Sequence, residues 1–104
     1  MDAPPAAPVN LRSLGRRAGL RVRWDANAEA DLAGYDLYRA SVSGGPYAKV
    51  NVSPLLEPTF LDTGVAPFAT VFYVVRAVDQ GGGASVDSLQ LEATYRVKKA
   101  RGSF

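Results

Sequence analysis

The sequence contains neither cysteine nor histidine among its 104 residues. Without cysteine it cannot form disulfides, thiol nucleophiles or zinc–thiolate sites, and without histidine it lacks the commonest general base and metal ligand. It also lacks an apolar run near the roughly 20 residues that a membrane-spanning helix needs, and its first residues lack the basic and apolar regions of a signal peptide. Met1 stands directly before a proline-rich segment, so we expect an excised piece of a longer, exported protein.

Charge is unevenly distributed along the chain. The formal net charge is +2, but four basic residues lie in positions 96–104, which leaves eight basic against ten acidic residues elsewhere. Prolines cluster at the opposite end, at positions 4, 5 and 8. We predict a proline-rich linker over residues 1–7, a single domain over residues 8–95 and a flexible basic tail over residues 96–104.

The segment Thr70–Asp79 is the centre of the predicted fold. It is rich in β-branched and aromatic side chains and free of glycine and proline, which is typical of a strand paired on both edges. Shorter strands are predicted at residues 9–13, 20–24, 35–40, 47–52, 59–62 and 88–95. These seven strands are separated by turn signals and no helix is convincing, so an antiparallel β-sandwich is the expected fold.

The alternation of side chains in these strands predicts an apolar interior. The predicted inward-facing residues are Leu20, Val22, Trp24, Tyr35, Leu37, Leu89, Leu91 and Ala93. None is acidic, so we expect no buried carboxylate pair for acid–base catalysis. Serine and threonine have no histidine to activate them, and the glycine run at 81–83 joins two strands and opens no phosphate-binding helix. We therefore predict that the protein is not an enzyme and takes no cofactor.

Seven motifs in order resemble the fibronectin type III family, in the variety found in modular secreted bacterial enzymes and surface proteins. They are Pro-Val-Asn-Leu at 8–11, Leu-Arg-Val-Arg-Trp at 20–24, Asp-Leu-Ala-Gly-Tyr-Asp-Leu-Tyr-Arg at 31–39, Gly-Gly-Pro-Tyr at 44–47, Phe-Leu-Asp-Thr-Gly at 60–64, Tyr-Val-Val-Arg-Ala-Val-Asp at 73–79 and Ser-Val-Asp-Ser at 85–88. The resemblance implies an immunoglobulin-like sandwich, with the first, second and fifth strands packed against the other four.

One position departs from the pattern of that family. Val71 stands where the family usually has the tyrosine of its tyrosine corner, and valine has no hydroxyl to donate to the loop backbone. We therefore expect packing against Pro67 and Phe68 to hold this corner.

Four oxygen-bearing side chains form a weak candidate metal site. Asp25, Asn27, Glu29 and Asp31 occupy every second residue of one predicted loop, and calcium prefers several such hard ligands. The spacing lacks the glycine and the final glutamate of an EF-hand loop. A solvated acidic loop accounts for the same residues, so no metal is predicted.

The candidate partner-binding residues are Tyr38, Phe72, Val74 and Tyr47. The first three project from the outer face of the sheet that contains the third and sixth strands, with Tyr47 nearby. A contiguous exposed apolar area often marks a partner surface. Alternatively, a neighbouring module or a long side chain such as that of Arg76 lies across it.

A second outer face is basic. Arg12, Arg21 and Arg23 are predicted to lie on the outside of the other sheet, with Arg16 and Arg17 in the adjoining turn. Such a stripe suits phosphate or sulfated sugar, although a solvated face that protects the sheet edge is commoner. No nucleic-acid-binding module is recognisable, so nucleic acid is not an expected partner. Since no apolar run is long enough to span a membrane, a membrane is not expected either.

The function predicted from these features is that of a non-catalytic spacer and docking domain in a larger extracellular or cell-surface bacterial protein. Its partners are then neighbouring modules of the same polypeptide or another protein chain. One alternative is a module that binds protein or polysaccharide through exposed aromatics. Another is a subunit of a filament or phage-type assembly.

Overall fold

A computed structural model describes residues 4–97, which form an all-β domain. Its strands are β1 (Arg12–Gly15), β2 (Leu20–Arg23), β3 (Leu32–Ala40), β4 (Ala48–Lys49), β5 (Thr59–Asp62), β6 (Thr70–Asp79) and β7 (Leu91–Thr94). Within residues 4–97 there is no helix of the length and hydropathy needed to cross a membrane. Residues 1–3 of the predicted linker and 98–104 of the predicted tail lie outside the described range.

The strands form two antiparallel sheets. One has the order β1-β2-β5 and the other the order β4-β3-β6-β7. This arrangement confirms the seven-stranded sandwich and the two strand sets that the resemblance implies. A register shift between Leu32 and Gly34 allows β3 to begin three residues before the predicted start at residue 35.

The core lies between the sheets and is built around Trp24. The Trp24 ring meets Tyr35 edge to face at 5.3 Å between centroids, an arrangement that adds about 0.5–1.5 kcal/mol to the burial of the two rings. Strand β6 pairs with β3 and β7 on its two edges, as its composition predicted. The predicted inward positions Leu20, Val22, Trp24, Tyr35, Leu37 and Ala93 are all buried.

Strand β7 is shorter than predicted because side chains replace part of the ladder. The hydroxyl groups of Ser85 and Ser88 accept hydrogen bonds from the backbone N–H groups of Ala77 and Val75, each at 2.9 Å. These bonds satisfy the two N–H groups of β6 without regular strand pairing. Short polar side chains often compete in this way with the hydrogen bonds between strands. Leu89 is consequently 92% exposed, and the prediction that it faces inward is wrong.

A side-chain hydrogen bond also shortens β4, and a residue in the left-handed conformation makes β1 begin later than predicted. The N–H of Val50 donates to the carbonyl of Leu37 at 2.9 Å, but the N–H of Leu37 donates to the side chain of Asn51 at 2.9 Å, so an amide side chain replaces the backbone beyond Val50. Asn10 has a φ of 67°, a conformation that asparagine tolerates better than most residues. The strand predicted at residues 9–13 therefore begins only at Arg12.

The two ends of the sandwich carry different loops. Strands β1 and β2 are antiparallel, so the turn at residues 16–19 lies at one end, which we call the C-pole. Val9 accepts the N–H of Asp25 at 3.0 Å at the other end, the N-pole. The N-pole also carries the loop at residues 25–31, where the chain passes from β2 to β3.

The corner after β5 is held by hydrogen bonds at the C-pole. The N–H of Phe68 donates to Tyr95 at 2.7 Å, and the N–H of Tyr95 donates to Ala69 at 2.9 Å. Pro67 is exposed and Phe68 is 69% exposed, so the expectation that packing against them holds the corner is wrong. Phe68 also has a φ of 65°, which is unusual for a bulky residue.

Candidate functional site

The predicted partner surface lies on the outer face of the four-stranded sheet, but it is largely covered. The register pairs Tyr38 with Val74 and Ala40 with Phe72, so these four side chains share that face. Tyr38 and Phe72 are half-buried, whereas Val74 is only 4% exposed. The prediction that Val74 contributes to an open apolar area is therefore wrong.

Part of the cover is the guanidinium group of Arg76. It lies 5.2 Å from the centre of the Tyr38 ring, within the range of a cation–π interaction. Its Nε donates to Asp87 at 2.5 Å, and this hydrogen bond raises the pKa of Arg76. Both side chains of the ion pair are about two-fifths exposed, so its contribution to stability is small. This is the alternative in which a long side chain lies across the face.

The rest of the cover is the loop between β3 and β4. Gln90 accepts the N–H of Gly44 at 2.7 Å and the hydroxyl of Tyr47, and it donates to the Ser43 hydroxyl at 2.9 Å. Continuing the β6–β7 register places Gln90 opposite Val74. Strands β4 and β7 are the two edges of this sheet, so the loop crosses the outer face to reach Gln90.

Large apolar side chains are exposed elsewhere in residues 4–97. They are Val9, Leu14, Val42, Val52, Leu56, Phe68, Val86 and Leu89. Partner binding by Tyr38, Phe72 and Tyr47 stays a prediction.

The four side chains of the weak metal candidate are not brought together. Asp25 accepts from Arg12 at 3.1 Å, whereas Asn27 and Glu29 hold the backbone of Ala6. The hydrogen bond from Ala6 to Glu29, with a smaller effect of Asn27, lowers the pKa of the Glu29 carboxyl. No group of three or more acidic side chains in the described range is placed to hold a metal ion.

A charged network between the sheets was missed by sequence reasoning. Asp62 is 3% exposed and accepts from Arg39 at 2.6 Å, from the Tyr73 hydroxyl at 2.7 Å and from the N–H of Gly64 at 3.0 Å. Asp62 belongs to the three-stranded sheet, and Arg39 and Tyr73 belong to the other. The alternation within β5 could have revealed it, because Asp62 shares the inward face of Phe60.

The Tyr73 hydroxyl is buried within this network. Burial, reinforced by the hydrogen bond to Asp62, raises the pKa of Tyr73 well above its ordinary value. The phenol therefore stays protonated and acts as a donor to the carboxylate. The geometry is that of a structural link between the sheets, in which both carboxylate oxygens of Asp62 accept hydrogen bonds.

A second buried carboxylate closes the turn after β6. Asp79 is 8% exposed and accepts from the N–H groups of Gly81 at 2.9 Å and Gly83 at 2.8 Å. It lies at the N-pole end of β6, whereas Asp62 pairs with Leu20 at the C-pole end of β2. Neither carboxylate is among the inward-facing residues predicted from the sequence, and the two lie at opposite ends of the sandwich.

The basic side chains occupy the outer face predicted for them. Arg12 lies opposite Arg23, and Leu14 lies opposite Arg21, in the register of β1 and β2. Arg12 is paired with Asp25, and both side chains are about half exposed.

Similar proteins and solved structures place this architecture in a family. The chain is 33% identical over 89 residues to an amylopullulanase of Thermoanaerobacterium saccharolyticum, covering 86% of this chain and 7% of that protein. A Fn3-like protein from Clostridium thermocellum has a TM-score of 0.73 and 29% identity, with 95% of this chain and 99% of that chain covered. This chain is a fibronectin type III-like domain. No family model matches the sequence.

Fibronectin type III-like domains of this kind occur within much longer chains. A β-1,2-glucanase from Parabacteroides distasonis shares the fold at a TM-score of 0.72 and 24% identity, over 91% of this chain and 13% of the glucanase. The chain thus spans a small part of the amylopullulanase and of the glucanase, and the segment that it matches in the amylopullulanase belongs to a much larger enzyme.

Proposed function

We propose that this fibronectin type III-like domain is a non-catalytic spacer that docks neighbouring modules of a larger extracellular bacterial protein. The observation that carries the proposal is the attachment of its two ends to opposite poles of the sandwich. Modules that precede and follow it are then separated by the length of the domain. The ten-residue strand β6 alone spans about 33 Å at roughly 3.3 Å per residue.

At the N-pole, the incoming segment is fixed by hydrogen bonds. Ala6 donates its N–H to Glu29 at 2.8 Å and accepts from the Asn27 side chain at 2.7 Å. Pro5 and Pro8 are buried on either side of it. These contacts support an approach to the domain in one direction.

At the C-pole, the outgoing segment is fixed in a comparable way. The Tyr95 hydroxyl donates to the backbone carbonyl groups of Arg16 at 2.6 Å and Arg17 at 2.9 Å. Gly15 packs so closely on Arg96 that a β-carbon would lie 1.9 Å from the Arg96 carbonyl oxygen. Both ends are therefore held by the folded domain, which favours a stiff spacer.

The proposed lack of catalysis rests on the roles of the ionisable interior groups. Asp62 accepts hydrogen bonds that link the two sheets, and Asp79 accepts hydrogen bonds that close a turn. Both carboxylates therefore have structural roles. The amylopullulanase relatives are far longer than this domain, which leaves ample chain for a catalytic part elsewhere. An extracellular setting is proposed by analogy with these relatives.

Distance measurements between two spin labels test the spacer. The absence of cysteine allows Pro4→Cys and Arg96→Cys to be labelled without competing thiols. We expect a narrow distribution centred beyond about 33 Å, the span of β6. As a control, Asn27→Ala with Glu29→Ala removes the two side chains that hold Ala6 and should broaden the distribution. A broad distribution in the parent chain would contradict the proposal.

A second candidate is binding of protein or polysaccharide through Tyr38, Phe72 and Tyr47. It is favoured by the position of half-buried Tyr38 and Phe72 on one sheet face, crossed by the loop that carries Tyr47. Titration with pullulan, followed by the chemical shifts of Tyr38 and Phe72, tests it. Tyr38 shifts that are lost in the Phe72→Ser variant support glucan binding, and no shift at saturating pullulan excludes that ligand.

The assembly alternative is tested on the same face. Sedimentation over a concentration series should show self-association of the parent chain and none of Phe72→Ser if this face joins subunits. A monomer at every concentration would contradict a filament or phage-type subunit.

A further inference from the structure

The outer face of the three-stranded sheet has the geometry of an anion-binding surface. It is formed by two rows of side chains, Arg12, Arg23 and Thr59 in one row and Leu14, Arg21 and Leu61 in the next. We propose that this face, the arginine face, binds an extended peptide segment whose carboxylates occur at every second residue. The inference is independent of the spacer role, because the face lies on the side of the sandwich and not at either pole.

The first argument is electrostatic. Arg12 and Arg23 are directly opposite each other in adjacent strands, a like-charge arrangement that weakens a sheet. Arg12 has Asp25 as a partner, but no ion pair within residues 4–97 involves Arg21 or Arg23. Their positive charges face solvent without a carboxylate, so an anion arriving at this face meets two uncompensated guanidinium groups.

The second argument is shape. A hollow of 260 Å³ on this face is lined by Arg12, Ser13, Leu14, Arg21 and Arg23. Arg21 and Arg23 are two positions apart in one strand, which places their α-carbons about 6.6–6.8 Å apart. An extended peptide has the same repeat, so carboxylates two residues apart match the two guanidinium groups. Each can be bound through the forked geometry that arginine offers to carboxylates.

The third argument distinguishes a peptide from other polyanions. Arg21 lies between Leu14 and Leu61 in the register, and Leu14 is 58% exposed. The intervening residues of an extended peptide point away from this face, so the leucines are placed to contact the methylene groups of its glutamate side chains. The two rows contain no aromatic residue, so nucleic-acid bases have nothing to stack on there. A sulfated sugar would leave the leucines without an apolar partner.

A fluorescent peptide of the sequence Gly-Glu-Val-Glu-Val-Gly is the probe, and fluorescence anisotropy at 50 mM salt is the measurement. A second peptide, Gly-Glu-Glu-Val-Val-Gly, has the same composition with adjacent carboxylates. We expect the alternating peptide to bind at least about tenfold more tightly, which corresponds to roughly 1.4 kcal/mol. Equal binding of the two peptides would overturn the proposal, because it would mean that the face attracts negative charge whatever the spacing of the carboxylates.

Two variants with the same change of charge locate the site. Arg21→Gln with Arg23→Gln removes the arginine face and should weaken binding of the alternating peptide at least tenfold. Arg16→Gln with Arg17→Gln removes two charges from the adjoining turn and should weaken it less than twofold. Equal losses, or no binding of the alternating peptide by the parent chain, would overturn the proposal.

Two further measurements distinguish peptide binding from a stabilising role of Arg23 and from binding of a sulfated sugar. Urea unfolding should give Arg23→Gln a midpoint no lower than that of the parent chain, because the variant removes a like-charge pair. A lower midpoint would mean that Arg23 serves stability and would overturn the proposal. Preferential binding of a heparin hexasaccharide over the alternating peptide would overturn it in favour of a sulfated ligand.

Discussion

At the scale of single residues, Asp62 connects the two sheets. Its carboxylate accepts from Arg39, Tyr73 and Gly64, so a single buried charge has a cationic, a phenolic and a backbone donor. Breaking a buried ion pair by removing one partner is costly because the other partner stays desolvated. Arg39 is 29% exposed, which limits this cost by allowing water to reach it.

We expect Asp62→Ala to lower the free energy of unfolding by about 3 kcal/mol, the low end of the range for a buried pair. The matched control is Asp87→Ala, which removes the acid of an exposed arginine–aspartate pair and should cost about 1 kcal/mol or less. Urea denaturation of both variants measures the difference. Similar losses in the two variants would mean that the buried network contributes no more than a surface pair.

The raised pKa of Tyr73 predicts a dependence of stability on alkaline pH. In the unfolded chain Tyr73 ionises near pH 10, whereas burial and Asp62 keep it protonated in the fold. The stabilisation associated with this raised pKa is complete below pH 10 and is lost as the pH rises above it. The additional slope is at most about 1.4 kcal/mol per pH unit.

Tyr73→Phe should remove that part of the alkaline loss. Urea unfolding between about pH 9 and pH 11.5 compares the two chains, and the parent curve should fall more steeply above pH 10. The other tyrosines are present in both chains, so they contribute equally. Parallel curves would contradict a raised pKa at Tyr73.

At the scale of strands, Gly15 sets the contact between β1 and the segment that follows β7. A β-carbon there would lie 1.9 Å from the carbonyl oxygen of Arg96 and 2.8 Å from its carbonyl carbon, so the backbones would have to separate. We expect Gly15→Ala to lower the free energy of unfolding by about 1–3 kcal/mol, as overpacking usually does.

The control for this variant is Gly81→Ala. The atom nearest to its added β-carbon is Asp79 Oδ1 at 3.4 Å, an ordinary contact, and Gly81 is not in the left-handed region. Its stability should be unchanged or slightly higher, because alanine restricts the unfolded chain. Thermal unfolding of the two variants is the measurement, and equal effects would show that the Gly15 contact is loose.

Strand positions could be predicted where hydrophobic alternation decides them. The bounds of β5 and β6 agree with the prediction, and β2 differs by one residue at Trp24. The errors occur where side chains bond to the backbone, as Asn51 does beside β4 and Ser88 beside β7. Such bonds depend on atoms that are distant in sequence, so alternation carries no signal for them.

The candidate site could be predicted only in part for a related reason. The face occupied by Tyr38 and Phe72 follows from the period of two along a strand. The burial of Val74 does not follow from this period. It requires the loop from β3 to β4 to reach Gln90, and the hydrogen bond from Gly44 to Gln90 spans 46 residues of sequence. The position of Asp62 in the interior was available from the alternation within β5.

At the scale of the whole molecule, the N-terminal segment is attached through a titratable group. The Ala6 N–H lowers the pKa of Glu29, so the stabilisation from this bond is complete above the ordinary value of 4.5 and is lost as the pH falls through the lower value in the fold. Below that pH the protonated carboxyl is a weaker acceptor, and the segment is expected to loosen at the N-pole.

The Ala6 amide resonance should therefore titrate with a midpoint below pH 4.5. Nuclear magnetic resonance spectra recorded at decreasing pH measure it. In the control Glu29→Gln, the same resonance should not follow a carboxyl titration. A midpoint at or above 4.5 in the parent chain would mean that the Ala6 bond does not favour the carboxylate.

The attachment of the two ends at opposite poles has a mechanical consequence. Tension applied through the ends runs along the strands, so the hydrogen bonds between β1 and β2 and between β6 and β7 are sheared together, not opened one after another. The chain has no disulfide to stop its extension once these bonds fail. The described residues could then lengthen to roughly 300 Å at about 3.3 Å per residue. A polypeptide that contains such a domain can therefore extend under a sudden force by unfolding the domain, before the force stretches its covalent bonds.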